Sequence, residues 1–259
     1  MTDTILADLE AIIPVGLWRQ PDDADRPAEL GLCEGRSHLD RMLTELVAAG
    51  VGSAIIAVSD RLFNPRWLGR ALRETTIRIP EDMSVDILVV EGARSIDDLV
   101  LSALTHTVTG WVAVASPLHS MPGFTAMSQV IATAGAEGLA AVALAEAAWE
   151  TAIQLCQPLC DGAIVTGIRT HAAQGAAVTV FAGRAVFPAT RLIGATHNAD
   201  FCVMDYERLI LGLCADPEPL RAYAVGAEVT DCRFDVPDRP EARMSRVSGP
   251  RRFAAAAIM

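Results

Sequence analysis

Apolar residues along this chain fall into two alternating rhythms. Ala11-Ile12-Ile13-Pro14-Val15, Ala54-Ile55-Ile56-Ala57-Val58, Val85-Asp86-Ile87-Leu88-Val89-Val90 and Trp111-Val112-Ala113-Val114-Ala115 are runs of strand length with little or no polar interruption. Between them the apolar positions recur with a helical period. Ser37 precedes apolar residues at 39, 42, 43, 46 and 47, so the spacing predicts a helix over 38–49 with Ser37 as N-cap and Gly50 as its stop. A helix is expected near 65–74, and Ile96, Leu99, Val100, Ala103 and Leu104 mark the next. This alternation predicts an α/β chain, a three-layer α/β/α sandwich around a mixed, mainly parallel sheet, with strand 54–58 beside strand 11–15.

Further along, 124–134 reads as a helix and 139–145 as a strand with little polar character, hence buried on both faces. Strands are expected at 163–166 and 178–181, without a defined pairing. Val203, Tyr206, Leu209, Ile210 and Leu213 share one helical face, and 222–225 and 232–236 follow as strands. With no low-complexity linker and no internal repeat, residues 1–259 are read as a single domain.

Composition narrows the function classes. At 51% apolar residues the chain can bury a large core without a disulfide or a metal. The six cysteines, Cys33, Cys156, Cys160, Cys202, Cys214 and Cys232, lack paired Cys-x-x-Cys spacing and read as reduced thiols, which implies a cytoplasmic protein. The start, Met1-Thr2-Asp3-Thr4, has no signal-peptide pattern, and no membrane segment is expected. A net charge of −11 argues against a nucleic-acid polymer, because clustered Lys and Arg supply that affinity. A nucleotide or sugar phosphate can still be held locally by loop amides and one cation. The high apolar content and the alanine-rich stretch near 140–148, taken as helical surface, lead us to expect at least a dimer.

The first strand runs into Gly16-Leu17-Trp18-Arg19, a turn of the kind that presents backbone N–H groups to a phosphate with an arginine nearby. Pro27-Ala28-Glu29-Leu30, the helix ending Ala48-Ala49-Gly50 and the second strand follow in order. Near the other end stand Met204-Asp205-Tyr206, the strand at 222–225, and Arg233-Phe234-Asp235-Val236 with Pro240-Glu241-Ala242. Together these resemble the bacterial sugar nucleotidyltransferases, and most the UTP:glucose-1-phosphate uridylyltransferases, from about residue 11 to about 245. The match is patchy between 118 and 185. The resemblance implies the nucleotidyltransferase (GT-A/Rossmann-like) fold and a chemistry that joins a nucleoside triphosphate to a phosphorylated sugar.

The residues that carry that chemistry in the family are a glycine-rich loop ending in Arg, the Lys of Pro-Lys-Glu-Leu, an Asp after the fourth strand and the Asp of Phe-Asp-Val-Gly. Here Gly16, Leu17 and Arg19 match the loop, but Trp18 stands where Gly-Thr would be, and an indole keeps backbone from approaching a pyrophosphate. Ala28 replaces the lysine. The fourth strand continues Ser116-Pro117-Leu118, with no carboxylate, and Asp235 alone remains to hold Mg²⁺. Where the base-reading glycines would be, the chain has Arg94-Ser95-Ile96-Asp97-Asp98, whose acids suit a helix N-terminus. His119-Ser120, adjacent in sequence, is not a base and nucleophile pair, and His38, His106, His171, His197 and Cys156-x-x-x-Cys160 have no ligand spacing.

No residue is therefore assigned as catalytic. Gly16, Leu17 and Arg19 are the remnant of a phosphate loop and Asp235 the remnant of a metal site. The expected role is non-catalytic, as a scaffold or regulatory subunit, either as a homo-oligomer or with an active nucleotidyltransferase. The alternative is an active enzyme with a site rebuilt around Arg19, Asp97, Asp98 and Asp235, for which Mg²⁺ would be the cofactor.

Overall fold

The computed structural model describes residues 7–19, 26–33, 35–74, 77–120, 123, 125–147, 155–169, 178–193, 206–228 and 230–231. Nine of its strands form one sheet: β1 (Leu9–Val15), β4 (Ser53–Ser59), β5 (Ser84–Val90), β6 (Trp111–Ala115), β8 (Ala141–Ala147), β9 (Pro158–Asp161), β10 (Ile164–Ile168), β11 (Val178–Pro188) and β12 (Leu220–Glu228). Two short pairs, β2 (Leu32–Cys33) with β3 (Arg36–Ser37) and β7 (His119–Ser120) with β13 (Thr230–Asp231), lie outside it. The helices are α1 (His38–Ala48), α2 (Arg66–Arg73), α3 (Ile96–Leu104), α4 (Ala126–Glu137), α5 (Ala189–Ile193) and α6 (Glu207–Ala215).

The sheet order is β5-β4-β1-β6-β11-β8-β12-β10-β9. The pairings make β11 and β10 run against the other strands, so the sheet is mixed and mainly parallel, as the alternation predicts. Strand 54–58 lies beside 11–15, with Ala11 opposite Ala54 and Val15 opposite Val58. Because alternate residues of a strand face opposite ways, the sheet carries two cores. Ala11, Ile13 and Val15 join Leu39, Leu43 and Leu46 of α1 and Val130 and Ile131 of α4 on one face. Ile12, Val112 and Val114 join Leu99 and Val100 of α3 and Leu209, Ile210 and Leu213 of α6 on the other.

Local chemistry sets the helix ends. The Ser37 hydroxyl accepts from the Asp40 amide at the start of α1, and Ser95 forms a capping box with Asp98 at the start of α3. Gly138, with φ +70°, closes α4.

The alanine-rich stretch near 140–148 corrects one expectation. It is an interior strand, not helical surface: Ala141 to Ala145 of β8 are buried between β11 and β12. Ala141, Ala143 and Ala145 face the core that holds α4, and their small side chains let that helix approach closely. The strand expected at 178–181 runs on to Pro188, through a register shift between Phe181 and Ala185 at Gly183, which has φ +71°. The strand expected at 232–236 and residue Val203 lie outside the described residues.

Candidate functional site

In an open α/β sheet, ligands bind beyond the carboxyl ends of the strands where the chain order reverses. The order β5-β4-β1-β6 reverses at β1, so this place lies between the loops that follow β1 and β6. Residues 16–19 and 116–119 therefore bound the candidate site.

The first loop is held from below. Gly16 has φ +82°, a conformation that favours glycine, and a Cβ there would make a tight 3.1 Å contact with the Ser59 carbonyl oxygen. Its N–H donates to Glu29 Oε1 at 3.0 Å. Ser59 in turn donates its hydroxyl to the Ala93 carbonyl at 3.0 Å, linking the end of β4 to the loop after β5. Glu29 is fully enclosed, and burial pushes its carboxyl up to about 7 against the pull of its own and the Gly16 amides. Glu29 Oε2 has no hydrogen-bond partner among the described residues. The sequence gives a weak signal for this brace, an acid three residues before the helix-leading β2–β3 hairpin, and its role was not assigned from it.

Above that brace the site is apolar. Ala28 donates its N–H to the Trp18 carbonyl at 3.0 Å, and Arg19 bridges to Pro27. Trp18 packs against the buried pair Ala28 and Leu118. Three departures from the family pattern thus meet in one cluster: the bulky residue of the loop, the missing lysine and the segment that lacks a carboxylate. Leu17 packs into the second-face core, and the exposed Arg19 places its guanidinium 5.4 Å from the centre of the Phe63 ring.

Beneath the β6 loop lies a buried polar network. His119 Nδ1 is 2.8 Å from Ser116 Oγ, and the His119 ring meets Tyr206 edge-on at 5.5 Å. Gly183 backs onto this histidine so closely that a Cβ would lie 2.8 Å from it. Arg184 holds Glu45 through Nε and Nη2, at 3.1 and 2.7 Å, and donates from Nη1 to the Ser116 carbonyl at 2.8 Å. Glu45 also accepts the Met127 amide at the start of α4 at 3.1 Å. Ser116, His119, Arg184 and Glu45 are all buried, so the serine and histidine are shielded from solvent. A lone arginine in the apolar run Val178–Pro188 was the sequence signal for this network, since a buried cation needs a partner.

The remaining candidates do not converge. Asp98 accepts from the Arg94 and Ser95 amides as a cap, and Asp97 is buried on the first turn of α3. Burial, with Arg41 nearby, holds the His38 ring down to about 4, and the His38 backbone N–H donates to the Gly31 carbonyl. Cys156 is buried and Cys160 exposed on β9. Among the described residues no three His, Cys, Asp or Glu side chains gather as a metal would need. The described residues of the two loops, 16–19 and 116–119, carry no carboxylate, and Glu29 is buried beneath Gly16 with its Oε1 held by that amide, so the donor set described there does not fit Mg²⁺, which takes its protein ligands chiefly from carboxylates. Asp235, His171 and His197 lie outside the described residues.

The architecture has counterparts among solved structures. A UTP-bound UGPase from Acinetobacter baumannii superposes with a TM-score of 0.68 at 18% identity, over 86% of this chain and 88% of that one. The chain has the UDP-glucose pyrophosphorylase fold. A UDP-glucose pyrophosphorylase complexed with UDP-glucose matches that fold equally well, with a TM-score of 0.68 at 14% identity over 86% and 93% of the two chains. HddC from Yersinia pseudotuberculosis, complexed with GMP-PN, matches at 0.61 and 12% identity over 87% and 94%. No protein-family model matches the sequence, and no curated protein matches it. Among the described residues no helix is long and apolar enough to cross a membrane.

Proposed function

We propose that this chain keeps the UDP-glucose pyrophosphorylase fold without its catalysis, and acts in the cytoplasm as a scaffold or regulatory subunit. It does so as a homo-oligomer or bound to an active nucleotidyltransferase. The observation that carries this reading is the packing of Trp18 against Ala28 and Leu118 at the reversal point of the sheet. Phosphoryl and nucleotidyl transfer depend on cations and metal ions placed on developing negative charge. An indole, a methyl and an isobutyl group supply none.

A second reading is favoured by the exposed Arg19 on a loop still held in its tight turn by Gly16. In it, residues 16–19 bind a nucleotide or sugar phosphate, and Arg19, Asp97, Asp98 and Asp235 with Mg²⁺ form a rebuilt active site. Calorimetric titration with nucleoside triphosphates, with and without Mg²⁺, separates the two. Absence of heat in every titration supports the scaffold, and tight Mg²⁺-dependent binding supports the enzyme.

A further inference from the structure

The two ends of the nine-stranded sheet are built differently. At one end β9 is short, begins with Pro158, ends with Asp161 and pairs with β10 through a register shift, all features that discourage a further strand. At the other end β5 has none of them. Its seven residues, Ser84 to Val90, pair in unbroken register with β4 on one side. On the other side, among the described residues, β5 is the end of the sheet. The strand contains no proline and no lysine, and Asp86 is its one charge.

Its side chains are also unevenly covered. Leu88 and Val90 pack into the core that holds α3. Ile87 and Val89 point to the opposite face, where they are 47% and 45% exposed. A seven-residue edge without proline, lysine or a register shift is a template for another strand.

We infer that the free edge of β5 pairs antiparallel with the same edge of a second copy of this chain, about a two-fold axis at Ile87. The sequence of the strand selects that occupant. With Ile87 opposite its own copy, Val85 stands opposite Val89 and Ser84 opposite Val90, so Val85, Ile87 and Val89 of both copies form one apolar ladder. Asp86 falls opposite Leu88. Within the strand no acid stands directly opposite an acid; the two Asp86 side chains lie diagonal to each other across the axis, each opposite a leucine. A two-fold contact uses one patch twice, and this patch is complementary to itself.

The inference specifies the self-association proposed above and stands whether or not the chain turns over nucleotide. It is tested on the full-length protein by sedimentation velocity and by thiol cross-linking in a Cys160→Ser background. The native chain should sediment as a dimer at micromolar concentration. Ile87→Lys, which sets two ammonium groups face to face, should weaken the dimer by about ten-fold or more in Kd. Ile87→Cys should cross-link to a disulfide-bonded dimer on oxidation, and Val108→Cys, on the 96% exposed loop residue, should not. A native monomer overturns the inference. A dimer that Ile87→Lys leaves intact and that Ile87→Cys fails to cross-link overturns the β5 edge while leaving self-association in place. Should Ile87→Lys fail to fold, the Ile87→Cys cross-link decides alone.

Discussion

Ala28 lies under Trp18, joined to it by a backbone hydrogen bond of 3.0 Å and by side-chain packing that includes Leu118. In the uridylyltransferase pattern these positions carry a cation, a glycine-containing turn and the approach to a metal carboxylate. Here each apolar residue makes the others tolerable. A lysine at 28 would bury its ammonium under an indole, and a glycine at 18 would leave Ala28 and Leu118 exposed to water.

Ala28→Lys therefore should not create an active enzyme. Ala28 is 1% exposed, and overpacking a closed site costs about 1 to 3 kcal/mol before the charge is counted. We expect a lower Tm by calorimetry and no pyrophosphate release above that of the native chain. A stable Ala28→Lys variant with new turnover would show that the site needs only its cation.

The ion pair of Arg184 with Glu45 joins β11 to α1, with side chains 3% and 6% exposed. Removing one partner of a buried pair leaves the other charge without compensation, a loss of about 3 to 5 kcal/mol. Glu45→Ala should show that loss in urea unfolding. Replacing both partners by Met should recover part of it, because no buried charge is then left alone. Equal damage from the single and the double replacement would mean that Arg184 matters for its shape and not for its charge.

Two buried groups give stability opposite dependences on pH. Glu29 is raised from 4.5 to about 7, so between those values the unfolded chain releases a proton that the native chain keeps, and stability falls as pH rises. The full span amounts to on the order of 3 kcal/mol. His38 is lowered from 6.5 to about 4, so in that window the unfolded chain takes up a proton that the native chain refuses, and stability rises with pH. The windows overlap. Urea unfolding at about pH 5.5 and about pH 8 should show Glu29→Gln gaining stability with pH relative to the native chain, and His38→Gln losing it. The same pH dependence in both variants as in the native chain would contradict these assignments.

Much of the fold was legible because the signals are local. Ser37, Gly50 and the apolar spacing between them define α1, and uninterrupted apolar runs define β1, β4, β5 and β6. The extent of β11 was not legible, because Gly183 and Arg184 look like a break. They form a bulge whose charge is matched by Glu45, 139 residues earlier. The alanines of β8 were open to two readings, since small residues suit both a helix surface and a strand under a close helix. At the site, the departures at Trp18, Ala28 and Ser116-Pro117-Leu118 were visible one by one. That they touch, and that Glu29 holds Gly16 from below, depends on the antiparallel bridge between Arg19 and Pro27, which residue patterns do not encode.

The central claim is that the chain transfers no nucleotide. Pyrophosphate release from UTP, CTP, GTP, ATP and dTTP, each with a panel of sugar 1-phosphates and Mg²⁺, tests it most directly when native protein is compared with Asp235→Ala. We predict the same background release from both proteins. Robust release from the native chain that disappears in Asp235→Ala would contradict the claim and establish the rebuilt active site in its place.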